Sequence, residues 1–394
     1  MSRPALELAD IFRQYGAAYR ALHALHRQAL RVMRAIETCR TAVLGGHVEE
    51  CSQCGFTRIS YNSCRNRHCP KCQNAERRQW LEQRQAELLP VPYFHVVFTL
   101  PELIAAIALQ NKALVYGLLF RTVAATLLTI ARDPQHLGAE IGFFAVLHTW
   151  GQNLLHHPHL HCVIPGGGLS PDGKRWVACR PGFFLPVRVL SRLFRRLFLE
   201  ALTAAFQQGQ LQFYGELQPL QEPAAFTAYL QPTRQTEWVV YAKPPFGGPP
   251  QVLEYLGRYT HRVALSNDRL RSLQNGQVTF QWKDYRHPQR PKLMCLSVFE
   301  FIRRFLLHVL PPGFQRIRHF GLLANRRRKT QLALCRRLLR APITDLLPTS
   351  AACERMLAEL STDAPRRCPE CGAELIRTHT LPAYRWPAQP PDTS

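Results

Sequence analysis

Acidic side chains are scarce in this 394-residue chain, which has 27 Asp and Glu against 50 Lys and Arg and a formal net charge of +23. A surplus of this size favours a polyanionic partner, either a nucleic acid or an anionic membrane surface. Hydrophobic residues make up 46% of the chain and aromatic residues 10%. This composition excludes an intrinsically disordered protein and is sufficient for a folded core.

The chain also lacks a long uninterrupted hydrophobic run and a recognisable export signal. Its most apolar stretch, Leu103 to Ile130, is interrupted by four polar or charged side chains between positions 110 and 121. This pattern predicts a core helix rather than a membrane span. Glu7 and Asp10 stand where a signal peptide requires apolar residues. We therefore expect a cytoplasmic protein with no membrane partner.

Cysteine is present in unusual number for such a compartment, with 13 residues. In a reducing environment, closely spaced cysteines indicate metal sites more than disulfides. Two Cys-x-x-Cys pairs, Cys51 with Cys54 and Cys69 with Cys72, are separated by 14 residues. Each such turn directs two sulfurs to one centre, so the two pairs predict one tetrahedral structural Zn²⁺.

Four further potential ligands surround these pairs, namely Cys39, His47, Cys64 and His68. They are interpreted as packing or surface residues, with a second zinc ion shared across the module as the alternative. Basic residues in the same stretch are candidates for phosphate contact: Arg65, Arg67 and Lys71. Near the other end of the chain, Cys368 and Cys371 form half of a similar site, and the sequence does not choose among Cys335, Cys353 and His379 as their partners.

Two histidines alternate with an apolar residue in His159-Leu160-His161. On a strand, residues i and i+2 point to the same face, so both imidazoles can bind one divalent ion. His148 on the preceding strand would lie opposite His159 if the hairpin is centred near Asn153 and Leu154. Gln152, which is nearer the turn, is the alternative third ligand.

Two tyrosines, Tyr255 and Tyr259, are spaced to lie on one face of a predicted helix. Their neighbours Arg258 and Arg262 suit a helix that faces phosphate. Farther along, residues 303–340 contain eleven Lys or Arg and no Asp or Glu. Within that stretch, Arg326, Arg327 and Arg328 are predicted to bind DNA in a salt-sensitive manner.

Strands separated by helices over residues 93–285 predict an α+β fold with helices on one face of a mainly antiparallel sheet. We expect a helical and zinc-ribbon DNA-binding domain over residues 1–90 and a catalytic domain over 91–300. A basic helical region would follow over 301–345, and a Cys-x-x-Cys segment with a disordered tail over 346–394.

These motifs together resemble the two-tyrosine HUH endonucleases, and specifically the rolling-circle transposases of the insertion sequence 91 family. The resemblance rests on His159-Leu160-His161, on Tyr255 and Tyr259 about a hundred residues later, and on the cysteine-rich module that precedes them. It covers roughly residues 5 to 340.

The resemblance implies a palm-like antiparallel sheet that carries the histidines and binds a catalytic Mg²⁺ or Mn²⁺. It also implies that tyrosine nucleophiles form a 5′-phosphotyrosine intermediate on single-stranded DNA at the element ends and target, in association with the nucleoid. A replication initiator or relaxase of the same chemistry and a non-enzymatic zinc-ribbon DNA-binding protein are the alternatives.

Two other recombination chemistries are less compatible with the residues. A tyrosine recombinase needs no metal and joins to the 3′ phosphate, so the polarity of the covalent adduct would identify it. A transposase with a carboxylate triad is disfavoured, because the stretch from Gly142 to Glu200 contains only Asp172 before Glu200.

Overall fold

The computed structural model describes residues 6–72, 81, 87–246, 252, 264–282, 292–340 and 367–384. The chain divides into two compact units. Unit 1 comprises Met1–Gln79, His261–Val309 and Leu357–Ser394, and unit 2 comprises Trp80–Thr260 and Leu310–Met356. The chain therefore enters unit 1 three times, whereas the boundaries expected from sequence follow chain order.

The described residues form both α-helices and β-strands. The α-helices are α1 (Leu8–Leu22), α2 (Arg27–Thr38), α3 (Glu102–Gln110), α4 (Lys112–Arg132), α5 (Val187–Gln207), α6 (Pro223–Gln235), α7 (Val298–Leu307) and α8 (Arg328–Leu338). The strands are β1 (Gly46–Cys51), β2 (Thr57–Tyr61), β3 (Tyr93–Thr99), β4 (Gly142–Trp150), β5 (His156–Pro165), β6 (Gly167–Leu169), β7 (Trp176–Ala178), β8 (Val240–Phe246), β9 (Leu270–Gln274), β10 (Gln277–Trp282), β11 (Lys292–Ser297), β12 (Ile317–Gly321) and β13 (Leu375–Leu381). Short 3₁₀ helices cover Ala42–Leu44, Gly215–Gln221 and Asn267–Arg269.

Unit 1 combines helices with two small sheets. Helix α1 buries Leu8, Phe12 and Tyr19 at helical spacing, and the Phe12 ring meets Phe305 of α7 edge to face at 5.5 Å. One sheet has the strand order β13-β1-β2 and the other the order β11-β10-β9. Helix α7 therefore belongs with the N-terminal helices, because its apolar face packs on α1.

Unit 2 is built on a five-stranded antiparallel sheet with the strand order β12-β4-β5-β3-β8. Alternate residues of its central strands join α3–α6 in one hydrophobic core. These residues are Phe94, Val96 and Phe98 of β3, Phe143, Ala145 and Leu147 of β4, and Leu160, Cys162 and Ile164 of β5. The arrangement confirms the predicted α+β fold with a palm-like antiparallel sheet.

Two expectations about unit 2 need correction. The long apolar segment is two helices rather than one, because Asn111 ends α3 and begins α4, and its side-chain amide donates to the backbone carbonyls of Ile107 and Gln212. The basic region after residue 301 is not wholly helical. Its residues 317–321 form β12, which pairs with β4 at the edge of the sheet.

Helix α4 has the length and apolar composition of a membrane span. Its buried side chains, including Tyr116, Phe120 and Leu127, belong to the core of unit 2. The helix therefore serves as the predicted core helix of this unit.

Candidate functional site

Three histidines come together on the sheet face opposite the helical core. β4 and β5 form a hairpin in which His148 pairs directly with His159, and His161 follows two residues later on the same face. One ring nitrogen from each of the three side chains lies within 4.8 Å of the other two. The predicted hairpin register is therefore confirmed, and the donor set can hold one divalent ion.

Hydrogen bonding and burial determine the protonation state of His159 and His161. His159 Nδ1 lies 2.7 Å from the carbonyl oxygen of His157. Since a carbonyl only accepts, Nδ1 carries the proton and Nε2 keeps its lone pair. Desolvation lowers the pKa of His159 to about 4, against the opposing effect of that hydrogen bond. Desolvation also lowers the pKa of His161 well below its ordinary value, so both rings are neutral near pH 7.

A fourth histidine, which sequence reasoning missed, supports the three. His95 on β3 is 1% exposed, and its Nε2 lies 2.8 Å from His161 Nδ1. The two rings stack with centroids 5.0 Å apart and an interplanar angle of 9°. The available sequence signal was an imidazole inside an apolar strand, at a position that alternates with the core residues Phe94 and Val96.

Other residues of the hairpin make ring contacts and hydrogen bonds of their own. His156 Nε2 and the Tyr116 hydroxyl lie 2.7 Å apart, within hydrogen-bonding distance. The His148 ring stacks on Trp150 with centroids 4.7 Å apart. Gln152 lies in the turn between β4 and β5, so the strand pairing favours His148 as the third ligand.

The cysteines form two separate clusters in unit 1. Cys39, Cys64, Cys69 and Cys72 are one group, and Cys51, Cys54, Cys368 and Cys371 are the other. Within each group, the four sulfurs lie within 4.8 Å of one another. Four sulfurs at this separation fit tetrahedral zinc with no open position, which is the pattern of a structural site.

The predicted grouping of Cys51 and Cys54 with Cys69 and Cys72 is therefore corrected. Cys69 and Cys72 meet Cys39, which caps the C-terminus of α2, and Cys64. Cys72 Sγ lies 3.5 Å from the sulfurs of both Cys39 and Cys64. Cys39 and Cys64, which were interpreted from the sequence as packing or surface residues, are thus potential zinc ligands.

The two histidines near the ribbon are not in either cluster among the described residues. His47 Nε2 lies 3.1 Å from Glu49 Oε1, and the backbone N–H of His68 donates to Asn66 Oδ1 at 2.9 Å. Near the other end, neither Cys335 nor His379 joins Cys368 and Cys371. Cys353, the third partner considered, lies outside the described residues.

The predicted DNA-binding residues differ in how accessible they are. Arg65, Arg326 and Arg327 are exposed and Arg67 is half-buried. Lys71 instead forms an ion pair with Glu7 at 2.8 Å, and Arg328 pairs with Glu87 at 3.1 Å. Lys71 and Arg328 therefore form ion pairs within their own units.

The four predicted residues of the tyrosine helix, namely Tyr255, Arg258, Tyr259 and Arg262, lie outside the described residues. An additional basic surface was missed at the sequence level. Arg27, Arg31 and Arg34 are exposed on α2 and line one groove. Their i, i+4 and i+7 spacing places them on one helix face, which was the available signal.

Two family models match parts of this chain. Residues 142–331 match a family model described as "Putative transposase", and residues 11–100 match the IS91 model described as "Transposase zinc-binding domain". No solved structure matches the chain.

Two curated relatives cover most of the chain. "Putative transposase y4qJ" of Sinorhizobium fredii (strain NBRC 101917 / NGR234) is 66% identical over 374 residues, which is 94% of each chain. The "Transposase for insertion sequence element IS801" of Pseudomonas savastanoi pv. phaseolicola is 28% identical over 346 residues, covering 87% of this chain and 82% of the relative. The chain therefore belongs to the IS91 family of transposases and carries their zinc-binding domain in its N-terminal part.

Proposed function

We propose that this transposase nicks and joins single-stranded DNA through a 5′-phosphotyrosine intermediate, in rolling-circle transposition. The observation that carries the proposal is the cluster of His148, His159 and His161 on two adjacent strands of the antiparallel sheet. Family membership supports DNA as the partner and transposition as the reaction.

The histidine cluster suits a catalytic divalent ion. Three imidazoles leave coordination positions for phosphate oxygens and water, which an octahedral Mg²⁺ or Mn²⁺ requires. When bound, such an ion supplies electrostatic stabilisation of the charge that develops on the scissile phosphate. His159 and His161 contribute neutral, oriented rings, the first held by the His157 carbonyl and the second by His95.

Tyr255 and Tyr259 are the proposed nucleophiles, on the basis of the sequence motif. The phenol oxygen of one tyrosine attacks phosphorus, and the phenol proton is transferred to a base or to water. The bond between phosphorus and the 3′ oxygen breaks, and the leaving 3′ oxygen takes up a proton from water. The products are a 5′-phosphotyrosine and a free 3′-hydroxyl. The second tyrosine would cleave the next strand while the first holds its end.

Single-stranded DNA would be bound mainly through its phosphates. Arg65 and the α2 arginines Arg27, Arg31 and Arg34 are exposed cations of unit 1. Arg326 and Arg327 are exposed cations of unit 2. Phosphate contacts of this kind give affinity without sequence information, so recognition of the element ends needs further base contacts.

The direct test is to incubate the protein with labelled single-stranded oligonucleotides that carry the element ends, with Mg²⁺ or Mn²⁺. We expect a covalent protein–DNA adduct with a 5′-phosphate on Tyr255 or Tyr259, identified by mass spectrometry. Tyr255→Phe combined with Tyr259→Phe should abolish the adduct. Tyr214→Phe is the matched control and should retain full activity, because its exposed phenol donates a hydrogen bond to the neighbouring Gln212 side chain, away from the histidines.

Two outcomes would separate the alternatives. An adduct at the 3′ phosphate, or one on another tyrosine, would contradict the proposed chemistry. Binding without any nicking in the presence of either ion would instead support a non-enzymatic zinc-ribbon DNA-binding protein.

A further inference from the structure

We propose that Cys368 and Cys371 complete a zinc site with Cys51 and Cys54, so that residues near the two ends of the chain hold one structural ion. The site is distinct from a second zinc site at Cys39, Cys64, Cys69 and Cys72. Cys368 and Cys371 lie outside both segments that match transposase family models, residues 11–100 and 142–331.

The sulfur positions are the first support. Cys51 Sγ lies 3.4 Å from Cys371 Sγ, and Cys54 Sγ lies 3.4 Å from Cys368 Sγ. These distances exceed the S–S bond of a disulfide, which is about 2.05 Å. They suit four thiolates arranged around one ion, because sulfurs that each lie about 2.3 Å from zinc are farther from one another than the two bonded sulfurs of a disulfide.

The two Cys-x-x-Cys turns also share one backbone pattern. In the first, the Cys51 N–H donates to the Phe56 carbonyl at 2.8 Å and the Gly55 N–H donates to the Cys51 carbonyl at 3.1 Å. In the second, the Cys368 N–H donates to the Ala373 carbonyl at 2.7 Å and the Gly372 N–H donates to the Cys368 carbonyl at 2.9 Å.

The glycine after each pair is part of this match. Gly55 has φ 71° and Gly372 has φ 75°, a left-handed conformation that glycine adopts without steric cost. Two turns of identical form, each presenting two sulfurs, are what a zinc ribbon requires.

The surrounding sheet brings the two turns together. β13 pairs antiparallel with β1, from Gly46 opposite Leu381 to Cys51 opposite Leu375. Cys51, Cys368 and Leu375 then form a small buried cluster, with Phe56 and Ala373 packed against it. This cluster is too small to order three strands by apolar burial alone, so a bound ion is the expected source of stability.

The metal content of the full-length protein tests the proposal. We expect about two zinc ions per chain, since each four-sulfur group binds one ion. Cys368→Ser and Cys371→Ser should each lower the content to about one, and Cys39→Ser should lower it to about one by loss of the other ion. Cys295→Ser, which alters an exposed cysteine outside both clusters, should leave two.

Alkylation mapped by mass spectrometry supplies a second readout. Cys54 and Cys371 are exposed, as is Cys295. Exposed thiols react rapidly unless a metal holds them, so in the wild-type protein Cys54 should be protected while Cys295 reacts. In Cys371→Ser, the exposed Cys54 should become reactive while Cys69 and Cys72 stay protected, which also shows that the module has not unfolded.

The proposal is overturned if Cys368→Ser and Cys371→Ser both retain the wild-type zinc content. It is also overturned if Cys54 is alkylated as fast as Cys295 in the wild-type protein. Neither result depends on nicking activity, so failure here is separate from failure of the proposed tyrosine chemistry.

Discussion

His95 lies where it can orient His161 for the proposed metal binding. Its ring is buried, stacks on His161 and lies within hydrogen-bonding distance of the Nδ1 atom of that residue. If His161 Nδ1 carries the proton, Nε2 of the same ring is the basic nitrogen that binds the ion. Partners of this kind orient a ligand ring and select its tautomer.

His95→Leu should therefore weaken Mn²⁺ binding roughly 10- to 100-fold. Cleavage should recover when the Mn²⁺ concentration is raised, because the three ligands remain. His95→Gln retains a polar group at the position of Nε2 and should bind the ion more tightly than His95→Leu. Calorimetric titration and the Mn²⁺ dependence of cleavage measure both effects, and a loss that saturating Mn²⁺ does not restore would contradict the positioning role.

Lys71 belongs to the stability of unit 1 more than to DNA contact. Its side chain is 12% exposed and that of its partner Glu7 is 5% exposed. Removing one member of a buried pair leaves the other charge uncompensated, so Lys71→Met should lower the free energy of unfolding of unit 1 by about 3 kcal/mol. Chemical denaturation measures this loss, and Glu7→Gln added to Lys71→Met should recover part of it. If Lys71→Met instead changes the salt dependence of DNA binding and leaves stability unchanged, Lys71 contacts DNA.

At the scale of elements, exposed arginines that can contact phosphate lie in the turn before α8 and on one face of α2. Each phosphate contact on a single strand contributes about 0.7 to the slope of log affinity against log salt concentration. Replacing Arg326 and Arg327 by Gln should therefore flatten the slope by about 1.4, and replacing Arg27, Arg31 and Arg34 by Gln should flatten it by about 2.

Arg328 provides the internal control for this measurement. It already pairs with Glu87 and also contacts Asn325, so adding Arg328→Gln to the Arg326 and Arg327 changes should flatten the slope little further. Binding titrations from low to moderate salt determine the slopes. An unchanged slope in the α2 variant would assign that helix face to another role.

Local patterns in the sequence were enough to predict some elements to the residue. The β4–β5 hairpin followed from the two-residue period of a strand and from a short turn between the strands, which together place His148 opposite His159. The cysteine grouping could not be predicted in this way. The segment that brings Cys368 to Cys54 lies 314 residues away, and no local pattern specifies a pairing at that separation.

The break at Asn111 and the strand β12 were missed for a related reason. Asn111 bonds to the backbone of residue 212 through both its amide nitrogen and its oxygen, a contact that depends on the tertiary fold. β12 is a strand because the edge of β4 is available to pair with it. In both cases distant partners, rather than local propensity, determine the local structure.

At the scale of the whole molecule, the two units depend on different sources of stability. The core of unit 2 consists of apolar side chains from its own strands and helices, whereas the ribbon of unit 1 has two four-cysteine clusters. Stripping zinc with a strong chelator should therefore raise hydrogen exchange in β1, β2 and β13 and leave β3, β4 and β5 protected. Exchange mass spectrometry before and after chelation measures this, and equal loss of protection in both sets of strands would contradict it.

The pairing of β1 with β13 also has a consequence for synthesis of the protein. At about 5 to 20 residues per second, a ribosome needs roughly 15 to 60 s to travel the 314 positions from Cys54 to Cys368. A polypeptide interrupted anywhere in that interval before Cys368 lacks two cysteines and the third strand of the ribbon, even when all of β3–β12 has been made. Translation through Cys371 and β13 thus becomes a condition for closing the N-terminal module, and a message cut short before Cys368 yields a sheet with its histidines but no finished ribbon.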